Sequence, residues 1–297
     1  MAVPQTQPEA SVPIRAHARV IANRPDGHGF KLLLEVPNWP GAAPGQFLML
    51  GAGAEASVPR QDPLLPRPMA VYRDFAPGQG PSGTGAEPGA AARIEVLYRV
   101  TGRGTTLLSE AEPGQRIAVV GPLGQGFPIE AGPAQALLVG GGTGIASLYE
   151  LARALAAAGR AVTVLLGARG EKDLIGLADF ESLGVELVCT TEDGSRGQQG
   201  LVTVPLVARL EAVAAGAAKG AAGLAVYACG PTPMMRAAAA LAEARGVRCF
   251  VSLENPMACG FGVCLGCAAP RREGGFALVC RQGPVFESTE IAWEGLP

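Results

Sequence analysis

The chain has 297 residues, a formal net charge of -2 at pH 7 and a sequence pI of about 5.8. Hydrophobic residues make up 48% of the sequence and charged residues 17%, a composition that excludes an intrinsically disordered chain. Because no excess of basic residues is present to attract polyanions, we expect neither nucleic acid nor an anionic membrane surface as a partner.

The start of the chain, residues 1–14, is rich in Pro and Gln and lacks the basic and then apolar pattern of a secretory signal. No uncharged apolar run reaches the length that a membrane helix needs. We therefore expect a cytoplasmic protein in which residues 1–14 form a flexible tail.

Residues 15–132 are expected to form an antiparallel Greek-key barrel. Short apolar runs bounded by Gly and Pro predict strands at residues 16–22, 30–36, 47–50, 70–73, 94–100 and 117–120. Strands of this number and length suit a closed or nearly closed barrel. Residues 51–66 and 74–91 interrupt the pattern, and the second stretch has the Gly- and Pro-rich composition of a surface loop.

Residues 133–252 change to an alternation of strands and helices. Strands are predicted at residues 136–139, 161–166, 185–190 and 224–229, and helices at residues 145–158, 204–214 and 234–244. This rhythm predicts a doubly wound parallel sheet with helices on both faces. The chain is thus expected to be a multi-domain α/β plus β protein, completed by a small cysteine-rich domain at residues 253–297.

The strongest chemical signal lies in that last domain. Cys259, Cys264, Cys267 and Cys280 have the spacing C-x4-C-x2-C-x12-C, which is typical of plant-type [2Fe–2S] sites. Glycines between the first three cysteines allow backbone N–H groups to approach the cluster sulfurs. A structural zinc site is the alternative, although zinc ribbons usually pair two C-x2-C knuckles.

A glycine-rich turn follows the first predicted strand of the α/β region. Residues 141–144, with the sequence GGTG, offer a diphosphate free N–H groups and the N-terminus of a helix. The turn is not the G-x-G-x-x-G fingerprint, and no acidic ribose anchor is evident, so the choice between NAD and NADP stays open. Cys229 closes the fourth strand, where it either packs in the core or faces a ligand.

These features together resemble the ferredoxin–NADP reductase superfamily and, within it, the electron-transfer subunits of dihydroorotate dehydrogenase B. The resemblance extends over residues 15–291. It is carried by Arg67-Pro68-Met69-Ala70-Val71, Leu97-Tyr98-Arg99-Val100 with residues 102–105, Gly121-Pro122-Leu123-Gly124, residues 140–144, Thr191-Glu192-Asp193-Gly194-Ser195, Cys229-Gly230-Pro231, Glu254-Asn255, Met257-Ala258-Cys259-Gly260 and Val279-Cys280-Arg281-Gln282-Gly283-Pro284-Val285-Phe286.

The resemblance implies three sites. The FAD residues would be Arg67, Pro68, Met69, Ala70, Leu97, Tyr98, Arg99, Gly104 and Thr105. The residues at an exchangeable NAD would be Gly141, Gly142, Thr143, Gly144, Cys229, Gly230 and Pro231. The ligands of the [2Fe–2S] cluster would be Cys259, Cys264, Cys267 and Cys280. The guanidinium forks of both FAD arginines suit diphosphate oxygens, and Cys229 is the one candidate for a catalytic residue beside the nicotinamide.

The sequence departs from the family pattern at two positions. Ala70 stands where the family usually has a hydroxyl residue, so a hydrogen bond near the flavin is lost. Pro256 stands where relatives commonly carry a basic residue. The interruptions at residues 51–66 and 74–91 are insertions that could alter the surface facing a partner.

The function implied by the resemblance is electron transfer from the FMN of a catalytic dihydroorotate dehydrogenase subunit, through [2Fe–2S] and FAD, to NAD+ in pyrimidine (UMP) biosynthesis. Two copies of each chain would form a heterotetramer, and this chain alone would not oxidise dihydroorotate. One alternative is a flavin and iron–sulfur subunit of a sulfhydrogenase or a ferredoxin:NADP oxidoreductase, although such relatives often have Asp at the position of Cys259. Another is a non-redox scaffold with a zinc-stapled tail.

Overall fold

The computed structural model describes residues 12–56, 62–75, 91–129, 134–216 and 223–297. Most of the predicted tail, at residues 1–11, lies outside the described residues. So do residues 57–61 and 76–90, which belong to the two predicted insertions.

The first half of the chain forms a seven-stranded sheet of order β4-β3-β7-β1-β2-β6-β5. Its strands are β1 (Ile14–Asp26), β2 (Gly29–Val36), β3 (Phe47–Leu50), β4 (Arg67–Ala70), β5 (Arg73–Phe75), β6 (Ala92–Arg99) and β7 (Arg116–Leu123). All neighbouring strands are antiparallel, and the short helix α1 (Arg103–Ser109) joins β6 to β7. Only two residues separate the edge strands β4 and β5 along the chain, which curls the sheet into the predicted barrel-like shape.

Strand β1 shows why this region folds as a sheet with one buried face. Ala16, Ala18 and Val20 are buried, whereas the residues between them are exposed. This period of two matches the alternation of side chains along a strand. The buried side chains pack with Leu32, Leu34 and other members of the barrel core.

The predicted strand at residues 70–73 is wrong. Val71 and Tyr72 lie between β4 and β5, where the chain crosses from one sheet edge to the other. The Val71 N–H donates to the carbonyl of Gln46 at 3.1 Å, and the Tyr72 N–H donates to the carbonyl of Glu95 at 3.0 Å. Because these partners belong to opposite ends of the sheet, no single strand can span the segment.

The second sheet has the order β11-β10-β9-β8-β12-β13-β16. Its strands are β8 (Gln135–Gly141), β9 (Ala161–Ala168), β10 (Glu186–Thr191), β11 (Gln198–Gln199), β12 (Leu224–Cys229), β13 (Arg248–Ser252) and β16 (Val285–Glu287). The pairings are parallel except that of β16, which comes from the C-terminal segment and lies antiparallel to β13. The parallel sheet was predicted, and the antiparallel edge strand was not.

Helices cover both faces of this sheet, as the doubly wound prediction requires. They are α2 (Tyr149–Ala157), α3 (Leu177–Ser182), α4 (Thr203–Gly216) and α5 (Thr232–Glu243). Alternate residues of β8 face different cores: Leu138 packs with α2 and α3, whereas Val139 packs with α4 and α5.

The helix predicted at residues 145–158 begins differently from the prediction. A 3-10 helix at Gly142–Leu148 precedes α2, so the α-helical geometry starts only at Tyr149. The 3-10 segment brings Gly144 against the end of β12, where a methyl group on Gly144 would lie 2.4 Å from the backbone N of Gly230. Glycine at position 144 is therefore required wherever this segment lies against β12.

The cysteine-rich segment is built on a small hairpin of β14 (Ala268–Pro270) and β15 (Phe276–Leu278). Its core is continuous with its neighbours, since Cys267 and Cys280 share one buried cluster with Met49 of β3 and Leu123 of β7. A segment this short gains little stability from its own core, so burial against the larger domains supports it.

A half-buried polar network around Asp179 connects the two larger domains. The Asp179 carboxylate, on α3, accepts from Lys31 Nζ at 2.6 Å, from Tyr72 Oη at 2.8 Å and from Arg73 Nη1 at 3.2 Å. All these donors belong to the first sheet region. Desolvation, followed by the nearby Asp179 carboxylate, raises the pKa of Tyr72 well above its usual value, so this hydroxyl stays a hydrogen-bond donor.

Replacing Asp179 with Ala should lower the free energy of unfolding by about 2 kcal/mol, because Lys31 and Tyr72 lose their half-buried acceptor. The urea midpoint, followed by far-UV circular dichroism, measures this loss. Glu181→Ala is the matched control, since Glu181 lies on the same helix in an exposed pair with Arg196. Equal losses of unfolding free energy in the two variants would contradict the role of Asp179 as a stabilising acceptor between the domains.

Candidate functional site

A cavity of about 300 Å³ opens where the two larger domains meet. Its lining residues come from the end of β6, from the turn after β8 and from the ends of β12 and β13: Arg99, Val100, Thr101, Gly141, Gly142, Thr143, Pro231 and Glu254. The cavity thus brings together one residue predicted to bind FAD and several predicted to bind NAD. It lies at the carboxyl edge of the parallel sheet, where α/β proteins bind nucleotides.

The glycines of the turn after β8 are explained by close packing on one side of the turn and open space on the other. A methyl group on Gly141 would lie 2.6 Å from Met234 Sδ. Gly142 has φ +56° and has open space where a side chain would project. At Gly141 and Gly142 the turn therefore presents bare backbone to the cavity.

Cys229 ends β12 directly behind this turn and is fully buried. Its Sγ lies 3.4 Å from the Ser252 carbonyl oxygen and 3.9 Å from Glu254 Oε1. Burial, followed by the Glu254 carboxylate, raises the pKa of the Cys229 thiol, which therefore stays neutral. Cys229 both packs in the core and borders a residue of the cavity, and its contact with nicotinamide stays a prediction.

Glu254 is a residue of this site for which the sequence predicted no role. Desolvation raises the pKa of its carboxyl, whereas its contact with Cys229 acts in the opposite direction. Much of the residue faces the open cavity, so solvent offsets part of the desolvation. Its position two residues beyond the end of β13, at the carboxyl edge of the sheet, is the signal that could have identified it.

The residues predicted for FAD lie on β4, at the end of β6 and at the start of α1. Arg67 lies directly over Gly104, where a methyl group would be 2.3 Å from Arg67 Nε. That Nε is buried and has no hydrogen-bond partner among the described residues. A buried, unpaired guanidinium nitrogen above the free N–H groups of a first helical turn suits an anionic diphosphate.

The neighbouring residues of this set have more varied surroundings. The Thr105 hydroxyl accepts from the N–H groups of Thr101 at 2.9 Å and Gly102 at 3.2 Å, so it holds the turn itself. Tyr98 packs in the barrel core and donates to Asn23 Oδ1 at 3.2 Å, and burial raises the pKa of Tyr98 to about 12. Leu97 is buried too, whereas Pro68, Met69 and Ala70 are partly exposed on β4. Their assignments to FAD stay predictions.

Arg99 has a partner that the sequence did not suggest. Its Nη2 lies 2.9 Å from Asp173 Oδ1 of the second domain. The Arg99 side chain is about one-third exposed at the cavity, so the pair is accessible to a ligand. A diphosphate at Arg99 would therefore compete with Asp173 or share the guanidinium with it.

The loop that carries the first three cysteines turns at residues of positive φ, and the four cysteines stay the predicted ligands of a cluster. Gly260 and Gly262 have φ values of +83° and +87°, and Leu265 also has a positive φ of +60°. Burial opposes ionisation of Cys259, but the N–H groups of Cys264, Phe261 and Val263 lower its pKa to about 6. Such N–H donors stabilise negative charge on sulfur.

The fourth cysteine lies beside the third. The Cys280 N–H points at Cys267 Sγ from 3.4 Å, and the Gly266 N–H points at Cys264 Sγ from 3.5 Å. The thiol donors and inward N–H groups fit an iron–sulfur cluster. Within the described ranges, no three His, Cys, Asp or Glu side chains are grouped to hold a single metal ion.

Among the described residues of the whole chain, no helix is both long and apolar enough to cross a bilayer.

Two family models match the chain. The iron–sulfur cluster binding domain of dihydroorotate dehydrogenase B matches residues 254–292, and the oxidoreductase NAD-binding domain matches residues 138–240. The first includes all four cysteines and Glu254, and the second includes the glycine turn and Cys229.

Relatives that align with most of the chain belong to the same family as the iron–sulfur domain model. The dihydroorotate dehydrogenase B (NAD(+)) electron transfer subunit of Bacillus caldolyticus is 39% identical over 254 residues, covering 84% of this chain and 86% of that one. The corresponding subunit of Caldanaerobacter subterraneus subsp. tengcongensis is 37% identical over 280 residues, covering 92% and 97%.

Among solved structures, an NADH-dependent reduced ferredoxin-NADP oxidoreductase is similar, with a TM-score of 0.75 and 29% identity over 95% of this chain and 91% of that one. The reductase fold, the cluster domain and the NAD-binding domain make FAD, [2Fe–2S] and NAD the cofactors of this oxidoreductase. From its sequence, its fold and these relatives, the chain belongs to the family of dihydroorotate dehydrogenase B electron transfer subunits.

Proposed function

We propose that this chain carries electrons from the FMN of a catalytic dihydroorotate dehydrogenase subunit, by way of its cluster and FAD, to NAD+ in pyrimidine biosynthesis. The observation that supports this most strongly is the contact between the cysteine loop and the flavin sheet. A methyl group on Gly260 would lie 2.5 Å from Met49 Cγ and 3.2 Å from Leu123 Cδ1. Met49 is in turn the ladder partner of Pro68 on β4.

The three predicted sites, for the cluster, FAD and NAD, support electron transfer between a one-electron centre, the cluster, and a two-electron carrier, NAD. Bound FAD would supply the exchange between hydride transfer and single-electron transfer. Arg67 and the start of α1 would hold its diphosphate, and the glycine turn at residues 141–144 would hold that of NAD. Glu254 would offer a carboxyl oxygen to the carboxamide of the nicotinamide, with the neutral Cys229 thiol behind it.

The proposed docking surface for the catalytic subunit is the cysteine loop itself. Phe261, Val263 and Leu265 are 52%, 75% and 62% exposed, and all three lie between Cys259 and Cys267. Exposed apolar groups in one short loop are typical of a protein interface. We place the catalytic subunit on this loop, with two copies of each chain in the assembly, in the cytoplasm, whose reducing conditions keep thiolate ligands intact.

The second candidate is a reductase subunit of another complex, of the ferredoxin:NADP oxidoreductase type. The structural similarity to such an enzyme, at a TM-score of 0.75, supports it. The two candidates share cofactors and differ in the partner that delivers electrons. Dihydroorotate therefore distinguishes them.

The test is to purify this chain anaerobically with and without the catalytic subunit, and then to add dihydroorotate and NAD+. We expect flavin and cluster absorbance to bleach, and NADH to form, only when both chains are present. Bleaching with NADH but not with dihydroorotate would favour the second candidate. A chain that formed NADH from dihydroorotate by itself would contradict the proposal.

Arg67→Ala should weaken FAD binding at least tenfold, because a charge-assisted hydrogen bond to phosphate contributes about 1.5–3 kcal/mol. Quenching of flavin fluorescence on titration of the apoprotein measures the Kd. Arg103→Ala is the control, since Arg103 lies one residue from Gly104 but is 62% exposed and paired with Asp62. Unchanged FAD affinity in Arg67→Ala would remove this residue from the site.

Val263→Asp should weaken assembly with the catalytic subunit by about tenfold or more, because a carboxylate would be desolvated in the interface. Size-exclusion chromatography or calorimetry of the two purified chains measures it, and an unchanged visible spectrum confirms that the cluster is retained. Leu201→Asp is the control, because Leu201 is 60% exposed and lies in the α/β domain rather than in the cysteine loop. Equal weakening by both variants would place the interface elsewhere.

A further inference from the structure

We propose that Arg281 raises the reduction potential of the iron–sulfur cluster by holding an unpaired positive charge over the cysteine loop. This inference rests on the proposed function, because it assumes that the four cysteines hold a redox-active cluster. It assigns a role to a side chain that is neither a ligand nor part of the nucleotide cavity.

The position of Arg281 is defined by its contact with Gly262. A methyl group on Gly262 would lie 2.3 Å from Arg281 Cδ, 2.9 Å from Cγ and 3.6 Å from Nε. Gly262 lies midway between Cys259 and Cys264, so the stem of Arg281 crosses the loop that carries the first ligands. Arg281 also directly follows Cys280, which fixes its backbone beside the fourth ligand.

The charge of Arg281 is not neutralised locally. Among the described residues, the ion pairs with N···O distances within 4.0 Å involve other arginines and do not include Arg281. The other arginines of the same segment differ in this respect. Arg271 is paired with Glu290 at 2.9 Å, and Arg272 is paired with Glu243 at 3.0 Å.

Packing explains why the charge stays in place. Arginine stems readily lie along apolar or bare backbone surface while the guanidinium remains in water. A side chain on residue 262 would displace the stem, so glycine at this position serves both the positive φ of the loop and the approach of Arg281.

The effect on the cluster follows from charge. Reduction of the cluster adds one electron without forming or breaking a bond, and so increases the negative charge on the sulfurs. A nearby cation stabilises the reduced form more than the oxidised form, which raises the potential. Because Arg281 is exposed, solvent screens the interaction, and we expect a change of about fivefold in the equilibrium constant for reduction.

The experiment is a dithionite titration of the full chain loaded with flavin and cluster, in which electron paramagnetic resonance reports the reduced cluster. Arg281→Met keeps the stem over Gly262 and removes the charge. We expect it to lower the equilibrium constant for reduction about fivefold, which is about 41 mV for a one-electron couple. Arg281→Lys, which retains the charge, should leave the potential close to that of the unchanged chain.

Arg272→Met is the control, since it removes a paired charge from the same segment. Equal potentials for Arg281→Met and the unchanged chain would overturn the inference, as would the same decrease in Arg272→Met. Arg281→Gln provides a second neutral variant, should Arg281→Met fail to retain its cluster. A chain whose unchanged form shows no cluster signal would instead refute the proposed function on which this inference rests.

Discussion

The close approach of Gly260 to Met49 is the contact on which the arrangement of the sites depends. The loop can lie against β3 only because residue 260 has no side chain and has a positive φ. Met49 separates this loop from Pro68 of β4 by a single strand of the sheet. The cysteines and the strand expected to bind flavin are thus held at a fixed, short separation, and electron transfer through protein slows steeply as that separation grows.

The walls of the nucleotide cavity are held together by both apolar and polar contacts. Tyr72 and Leu97 of the first domain share one buried cluster with Ile175 and Phe180 of the second. Ion pairs around Asp179 and Asp173 lie at the same meeting of the two domains. The apolar cluster supplies most of the burial, and the directional ion pairs add geometric specificity to the contact.

Positively polarised groups on two sides of the cysteine loop stabilise negative charge on its sulfurs. Backbone N–H groups stabilise the Cys259 thiolate from within the loop, and Arg281 adds a cation above it. The same short loop carries the exposed Phe261, Val263 and Leu265. Backbone N–H groups and Arg281, which lies outside the loop, thus supply the electrostatics, while the apolar side chains of the loop itself remain available for contact with another protein.

The sequence by itself predicted the order of the domains, most of the strands and four candidate cluster ligands, because these depend on local periodicity and on short spacings. It could not reveal the contact of Glu254 with Cys229, the pairing of Arg99 with Asp173, or the network around Asp179, since those residues meet only when separate strands, or the two domains, pack together. The crossing at Val71 and Tyr72 was missed for the same reason, because its hydrogen-bond partners come from distant strands. Only the tertiary structure decided these contacts, since each depends on how segments that are not neighbours in the chain, within one domain or between two, pack against each other.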